Sequence, residues 1–328
     1  MLHREPLLVT LVKLVDTIPM PQAGVKRKRG HPKEYTERLI VKALVIMVIR
    51  RLYTAYSLLA FLNQESDLTK QLRDLLTEDG RFPVRRTWER RLSALPDTLP
   101  GLIGCLGRHL AVLIQPWGGH GKAAAIDSTP LRAKGGVWHK KHREQGLVPH
   151  STIDTQAAWS KSGYHGWWYG WKLHLCCTAG ALVWIPLAAD LTSADVYDAT
   201  PAPGLQRELP LEVRMLLGDT HYHDDELRAH CRLSDRWLVT TRRGRYPHTD
   251  PGVEVRRIFH KLRSIAIEPF NALFKNIFEW GGQVPVKGLK RVRLIVLGAL
   301  LVYQLALLYQ FHHALPLGLA IKPLLRAA

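Results

Sequence analysis

The run from Leu294 to Tyr309 reads LIVLGALLVYQLALLY, uncharged throughout and broken only by Gln304. A helix with this composition has no face that can meet water, so protein or lipid must enclose it on every side. Crossing a bilayer takes about 20 apolar residues, and this run has 16. A central core helix is therefore expected over a membrane anchor, and the surrounding fold has to be large enough to wrap it. Lys290, Arg291 and Arg293 before the run and His312 and His313 after it mark its ends.

The chain has 328 residues, 46% of them hydrophobic, which is enough for a sizeable core and two or more structural units. It also carries 46 Lys and Arg against 28 Asp and Glu, for a net charge of +18 and a pI near 10.0. The positive residues run from Lys26 to Arg326, a spread that predicts a polyanionic partner, with nucleic acid the first candidate. Cys105, Cys176, Cys177 and Cys231 have no zinc-site spacing, so unpaired thiols in a reducing compartment are expected. The residues from Met1 to Val15 have no long apolar segment and no small-residue cleavage site, and no signal peptide is expected.

Apolar residues recur at helical spacing to about residue 115. One stretch follows the basic patch Lys26–Lys33 and contains Leu39, Leu44, Ile46 and Met47; another contains Tyr56, Leu58, Leu59 and Leu62; a third, capped by Asp67, contains Leu68, Leu72, Leu75 and Leu76 and stops at Asp79-Gly80. Arg85-Arg-Thr-Trp-Glu-Arg-Arg-Leu92 then reads as a helix with Trp88 and Leu92 on one side and Arg85, Arg86 and Arg90 on the other. Such a helix suits a helix-turn-helix reader of DNA, and it suits an ordinary solvated face equally well. The Gly-rich joint at Pro116-Trp-Gly-Gly-His120 divides an all-helical region, 1–118, from a second region, 119–328.

Beyond the joint the period shortens to that of strands. Ala123-Ala-Ala-Ile-Asp127 is a short strand that ends in a carboxylate and is broken or bent at Pro130. Residues 132–166 are polar and basic, including Lys134, Lys140, Lys141, His142 and Arg143, and read as a long loop. Further strands follow at Trp171–Thr178 and Ala181–Ala188, joined by a turn at Ala179-Gly180. Helical signals begin at Asp195–Asp198, a fourth strand runs from Val213 to Asp219, a helix from Thr220 to Ser234, and a fifth strand from Trp237 to Thr241. After the basic turn Arg242–Arg245 a long helical pattern extends from Val255 to Phe278. This order belongs to an α/β, RNase H-like mixed sheet flanked by helices, here with the helical region at its amino-terminal side.

That fold gives Asp127, Asp219 and Glu268 meaningful positions: the end of the first strand, just after the fourth, and the helix after the fifth. Carboxylates gathered in a basic chain repel one another unless a hard divalent cation offsets the charge. Two such ions about 4 Å apart can stabilise the attacking and leaving oxygens of a phosphodiester, so two Mg2+, with Mn2+ able to substitute, are the expected cofactors. Glu279 competes for the third acidic position; it lies about 16 Å further along a continuous helix, and Glu268 is preferred. Pro269 is tolerated in a first helical turn, which suggests that a new helix begins near Ile267.

Several motifs in this region resemble the DDE transposases of bacterial insertion sequences: Ile126-Asp127-Ser128, Tyr169-Gly-Trp-Lys-Leu-His174, Leu217-Gly-Asp219 followed by Tyr222, and Arg263 with Glu268 and Lys275. The likeness covers roughly residues 120–315. It implies metal-dependent cleavage at transposon ends and strand transfer, with Arg263 and Lys275 touching DNA phosphates and His260 standing where a Tyr is usual. It also implies terminal inverted repeats and target DNA as partners, a homodimer in the DNA complex, no membrane, and a place in the cytoplasm with the nucleoid. Another RNase H-like nuclease, such as a resolvase or RNase, and a DNA-binding derivative without catalysis are the alternatives. His174 reads as structural or DNA-facing, and the aromatic stretch Trp167-Trp168-Tyr169-Gly170-Trp171 as base-stacking or buried against the sheet.

Overall fold

The computed structural model describes residues 5–21, 35–118, 122–163, 166–241 and 252–328. The basic patch at 26–33, the basic turn at 242–245 and residues 119–121 of the Gly-rich joint lie outside them. The helical region consists of α1 (Leu7–Leu14), α2 (Glu37–Ile49), α3 (Ala55–Leu62), α4 (Asp67–Leu75), α5 (Arg85–Ala94) and α6 (Leu99–Ile114). Capping boxes start α3 and α4: Thr54 and Ser66 each accept from the backbone N–H three residues on, and the side chains of Ser57 and Thr69 reach back. Ser66, not Asp67, is thus the cap of α4. Asp67 falls in the first turn, where its charge suits the helix dipole.

The second region contains β1 (Ala123–Arg132), α7 (Lys140–Glu144), β2 (Ala158–Ser162), β3 (Gly166–Ala179), β4 (Pro186–Ser193), α8 (Ala202–Glu208), β5 (Met215–Gly218), α9 (Asp225–Leu233), β6 (Trp237–Thr240), α10 (Gly252–Phe278), α11 (Leu289–His312) and α12 (Ile321–Ala327). β3 runs antiparallel to β1, and β1, β5 and β6 run parallel. β2 pairs with Gly166–Gly170 of β3, and β4 with Trp171–Cys177. The result is the mixed RNase H-like sheet that the order of elements predicts.

Several details of the second region differ from the sequence reading: β3 already begins at Gly166, and α9 only at Asp225, after a 3-10 turn at Thr220–Tyr222. β1 does not stop at Asp127 but continues through Pro130 to Arg132, so the carboxylate sits within the strand. Proline is tolerated because Ala133 donates its N–H to Tyr169, which turns the nitrogen of Pro130, three residues back, away from β3; β5 pairs only as far as Ala125, so no ladder bond is lost there. The stretch 132–166 holds α7 and β2, whose mixed polar sequence hides the strand period. The strand expected at 181–188 begins at Pro186, since Thr178 bonds Val183 and Ile185 and the intervening chain bends there. The helix expected from Asp195 starts at Ala202, leaving Asp195–Asp198 in a loop.

α11 is the core helix that its composition demands. By length and composition it could cross a membrane, and 89% of its apolar window is buried inside the protein. Its partners are α1, α2, α6 and β4, so one continuous core contains Leu44 and Leu106 of the helical region with Leu187 of the sheet and Leu301 of α11. Gln304, the single polar break, donates to the carbonyls of Ile103 at 2.9 Å and Pro186 at 2.8 Å. Its Nε2 is thus satisfied by two acceptors, while its Oε1 is buried without a partner among the described residues.

Candidate active site

The parallel pairing of β1 with β5 sets the first two acids side by side. The last pair in register is Ala125 with Leu217, so Asp127 and Asp219, each two residues further on, stand level where the strands part. The chain then folds back sharply: a Cβ on Gly218 would lie 2.7 Å from the Cβ of Tyr222, so the motif needs glycine there. Asp219 caps the 3-10 turn Thr220–Tyr222, its Oδ1 accepting the N–H of His221 at 2.8 Å. The Oδ1 of Asp127 likewise accepts the N–H of Ser128 at 2.9 Å.

Burial pushes the Asp127 carboxyl up to about 7; Arg263 opposes that shift, and Asp219 and Asp198 add to it. Burial first, and the two neighbouring acids after it, favour the protonated form of Asp127, and a bound cation would reverse that preference. Tyr222 is buried beside the same three acids, its phenol raised well above the usual value by burial and by Asp127, Asp198 and Asp219. Its hydroxyl has no partner among the described residues.

α10 carries the third acid. Its buried Arg263 lies with Nη1 3.6 Å from Asp127 Oδ2 and Nη2 3.1 Å from Glu268 Oε1, so one guanidinium ties the helix acid to the strand acid. Lys275, seven residues and two turns after Glu268, is pulled down to about 8 by burial, against the attraction of Asp127. His260 is exposed on the same helix. The helix break expected near Ile267 is absent: α10 runs continuously with Pro269 inside it. The carbonyl that proline leaves unbonded is that of Ile265, a residue 52% exposed, where water can take its place.

Glu279 is otherwise engaged. It takes a left-handed φ of 61° just beyond α10 and pairs with Arg51 at 2.8 Å, Arg326 at 2.5 Å and Lys322 at 3.7 Å. Hydrogen bonds from Arg326 and Arg51 hold its carboxyl down to about 2. It fastens α12 to the end of α2.

The other face of the sheet bears a group that the sequence reading passes over. Residues opposed in an antiparallel ladder project to the same side, so Ser128, opposite His174, and Pro130, opposite Lys172, share a face with them. Asp198, in the loop after β4, binds Lys172 Nζ at 2.9 Å and accepts from Ser128 Oγ at 2.9 Å. The sequence reading had treated Asp198 as part of a helix start. The available signal was Lys172 itself, set among apolar strand residues, since a buried ammonium needs a buried counter-charge. His174 is fully buried, bonded through Nε2 to Thr192 Oγ1 at 2.8 Å and pulled down to about 4 by burial, so its ring is neutral at physiological pH.

The remaining candidates lie on the surface. Arg85, Arg86 and Arg90 are exposed on α5 over the buried Trp88 and Leu92; Arg85 pairs with Glu89 at 2.7 Å. The aromatic stretch divides, with Trp168, Tyr169 and Trp171 buried and Trp167 64% exposed beneath Lys161.

The donor set suits a hard divalent cation: Asp127 and Asp219 offer carboxylate oxygens from neighbouring chain segments, and a cation relieves their mutual repulsion. Among the described residues no three His, Cys, Asp or Glu side chains converge on one metal position; Glu268 is turned to Arg263. A protein-family model described as a transposase DDE domain matches residues 119–305, more than half of the chain. No curated protein matches it significantly.

Proposed function

The chain belongs to the transposase DDE-domain family, and from that premise we propose that it cleaves DNA at the ends of a mobile element and joins the freed 3′ hydroxyl to target DNA. The family acts on DNA and generally uses divalent metal. In this chain we assign Asp127, Asp219 and Glu268 to hold two Mg2+, or Mn2+ in their place. The observation that carries the assignment is the level placement of Asp127 and Asp219 on neighbouring parallel strands, with Arg263 joining Asp127 to Glu268.

When bound, the metal supplies Lewis acidity to the scissile phosphate and lowers the pKa of the attacking water or hydroxyl. The chain's own residues do the rest. Arg263 neutralises Asp127 and Glu268; with Glu268 engaged by a metal, the guanidinium would be free to grip a phosphate oxygen. Lys275, ammonium at neutral pH, holds a second phosphate along the same helix, and His260 lies exposed before them. Arg85, Arg86 and Arg90 serve the terminal inverted repeats; Arg85 lines a cleft of about 520 Å3 with Tyr56, Lys290 and Arg291. Acting on two ends at once calls for a homodimer in the DNA complex, working in the cytoplasm on nucleoid DNA.

The test is end cleavage of a duplex carrying the matched repeat, in Mg2+. Asp127→Asn and Glu268→Gln are expected to lower the rate by about 10²–10³-fold, the loss typical when a group stabilising transition-state charge is removed, with duplex binding retained. Cleavage by Asp127→Asn at the wild-type rate would remove Asp127 from the mechanism.

A further inference from the structure

The two acids on the parallel strands are held in the same way. Ser128 gives its backbone N–H to Asp127 and its side-chain hydroxyl to Asp198; His221 gives its backbone N–H to Asp219 and sets Nδ1 4.0 Å from Asp198 Oδ2. Asp198 thus accepts a hydrogen bond from the residue that fixes Asp127, and its other oxygen faces, across 4.0 Å, the residue that fixes Asp219. Its own position is fixed by Lys172, side chain 11% exposed, whose Nζ also donates to the carbonyl of Val196 at 2.9 Å. The loop carrying it is tied to the far side of the site by Tyr197, whose hydroxyl donates to the carbonyl of His221 at 2.7 Å.

We infer that Asp198 is a positioning residue for metal capture: from the face of the sheet opposite α10 it sets the spacing of Asp127 and Asp219, directly through Ser128 and, by way of the Tyr197 bond of its own loop, through His221, with Lys172 cancelling its charge. An ordinary buried ion pair serving only stability would not need contacts to both acid-bearing segments. A bare third carboxylate beside Asp127 and Asp219 would draw cations to the wrong place, and Lys172 prevents that. Groups that orient metal ligands in this way change metal affinity by about 10–100-fold when removed.

The inference rests on the assignment of Asp127 and Asp219 to the metal, and the experiment separates the two. Mn2+ binding to the full chain is measured by electron paramagnetic resonance, alongside the melting temperature and duplex affinity without metal, for wild type, Ser128→Ala, Asp198→Asn and the double variant. Expected are wild-type duplex affinity in all, Mn2+ affinity about tenfold or more lower in each single variant, and a double variant no weaker than Asp198→Asn. Ser128→Ala loses one hydroxyl and keeps the Asp198–Lys172 pair, so it reports even if Asp198→Asn does not fold. Wild-type Mn2+ affinity in a folded Ser128→Ala or Asp198→Asn protein overturns the inference, as does strict additivity of the two losses. If the wild type itself binds no Mn2+, or Asp127→Asn binds it unchanged, it is the underlying assignment that fails.

Discussion

Asp127 enters the site with its proton half on at neutral pH, and this has a consequence for stability. Its folded value, about 7, stands above the ordinary 3.8, so the folded state is the better proton binder. That stabilisation is complete below about pH 4 and disappears as pH rises through 7, amounting to at most about 4 kcal/mol. The metal-free melting temperature should therefore fall more steeply between pH 4 and 8 for wild type than for Asp127→Asn, and Mg2+ should recover the loss at pH 8. Parallel melting curves for the two proteins would refute this. Lys275 titrates from the other side: with its value down at about 8, its ammonium is lost between pH 7 and 9. Duplex affinity should decline over that interval in wild type and hold in Lys275→Arg; equal declines would take Lys275 off the DNA. At this scale the order of strands and helices disclosed Asp127, Asp219 and Glu268 as candidates, and the family resemblance added Arg263 and Lys275. Asp198 stayed hidden because its meaning comes from a loop crossing the sheet to reach Ser128 and Lys172, which no local pattern encodes.

At the scale of elements, α2, α5, α10 and α11 were readable because their apolar positions repeat over many residues, and β5 and β6 because short apolar runs end at turn signals. β2 was not, since its Ala-Trp-Ser-Lys-Ser sequence is partly exposed and depends on β3 for its extended form. The reach of β1 past Pro130 was missed for a related reason: whether a proline breaks a strand depends on which of its edges is paired. The close approach of β1 to β3 offers a direct test. A Cβ on Gly170 would lie 2.1 Å from the carbonyl oxygen of Leu131, so the backbones of β1 and β3 would have to move apart there. Gly170→Ala should cost about 1–3 kcal/mol of stability, as overpacking typically does, measured by urea unfolding. An unchanged midpoint would show that the strands separate freely.

For the molecule as a whole, charge governs its approach to DNA. If Arg85, Arg86, Arg90, Arg263, Lys275, Lys290 and Arg291 each neutralise a phosphate, the logarithm of duplex affinity should fall with the logarithm of salt at a slope of about −6. Replacing the three α5 arginines by Ala should reduce that slope by about 3; a slope left unaltered would put the duplex elsewhere. The regions on the two sides of the Gly-rich joint share one core, because α11 packs against α2 and α6 as well as β4. The ribosome delivers α11 after α1, α2, α6 and β4, so the apolar faces that these present to it lack their partner until translation passes residue 312. A polypeptide halted before that helix should therefore be digested by protease far faster than the finished one.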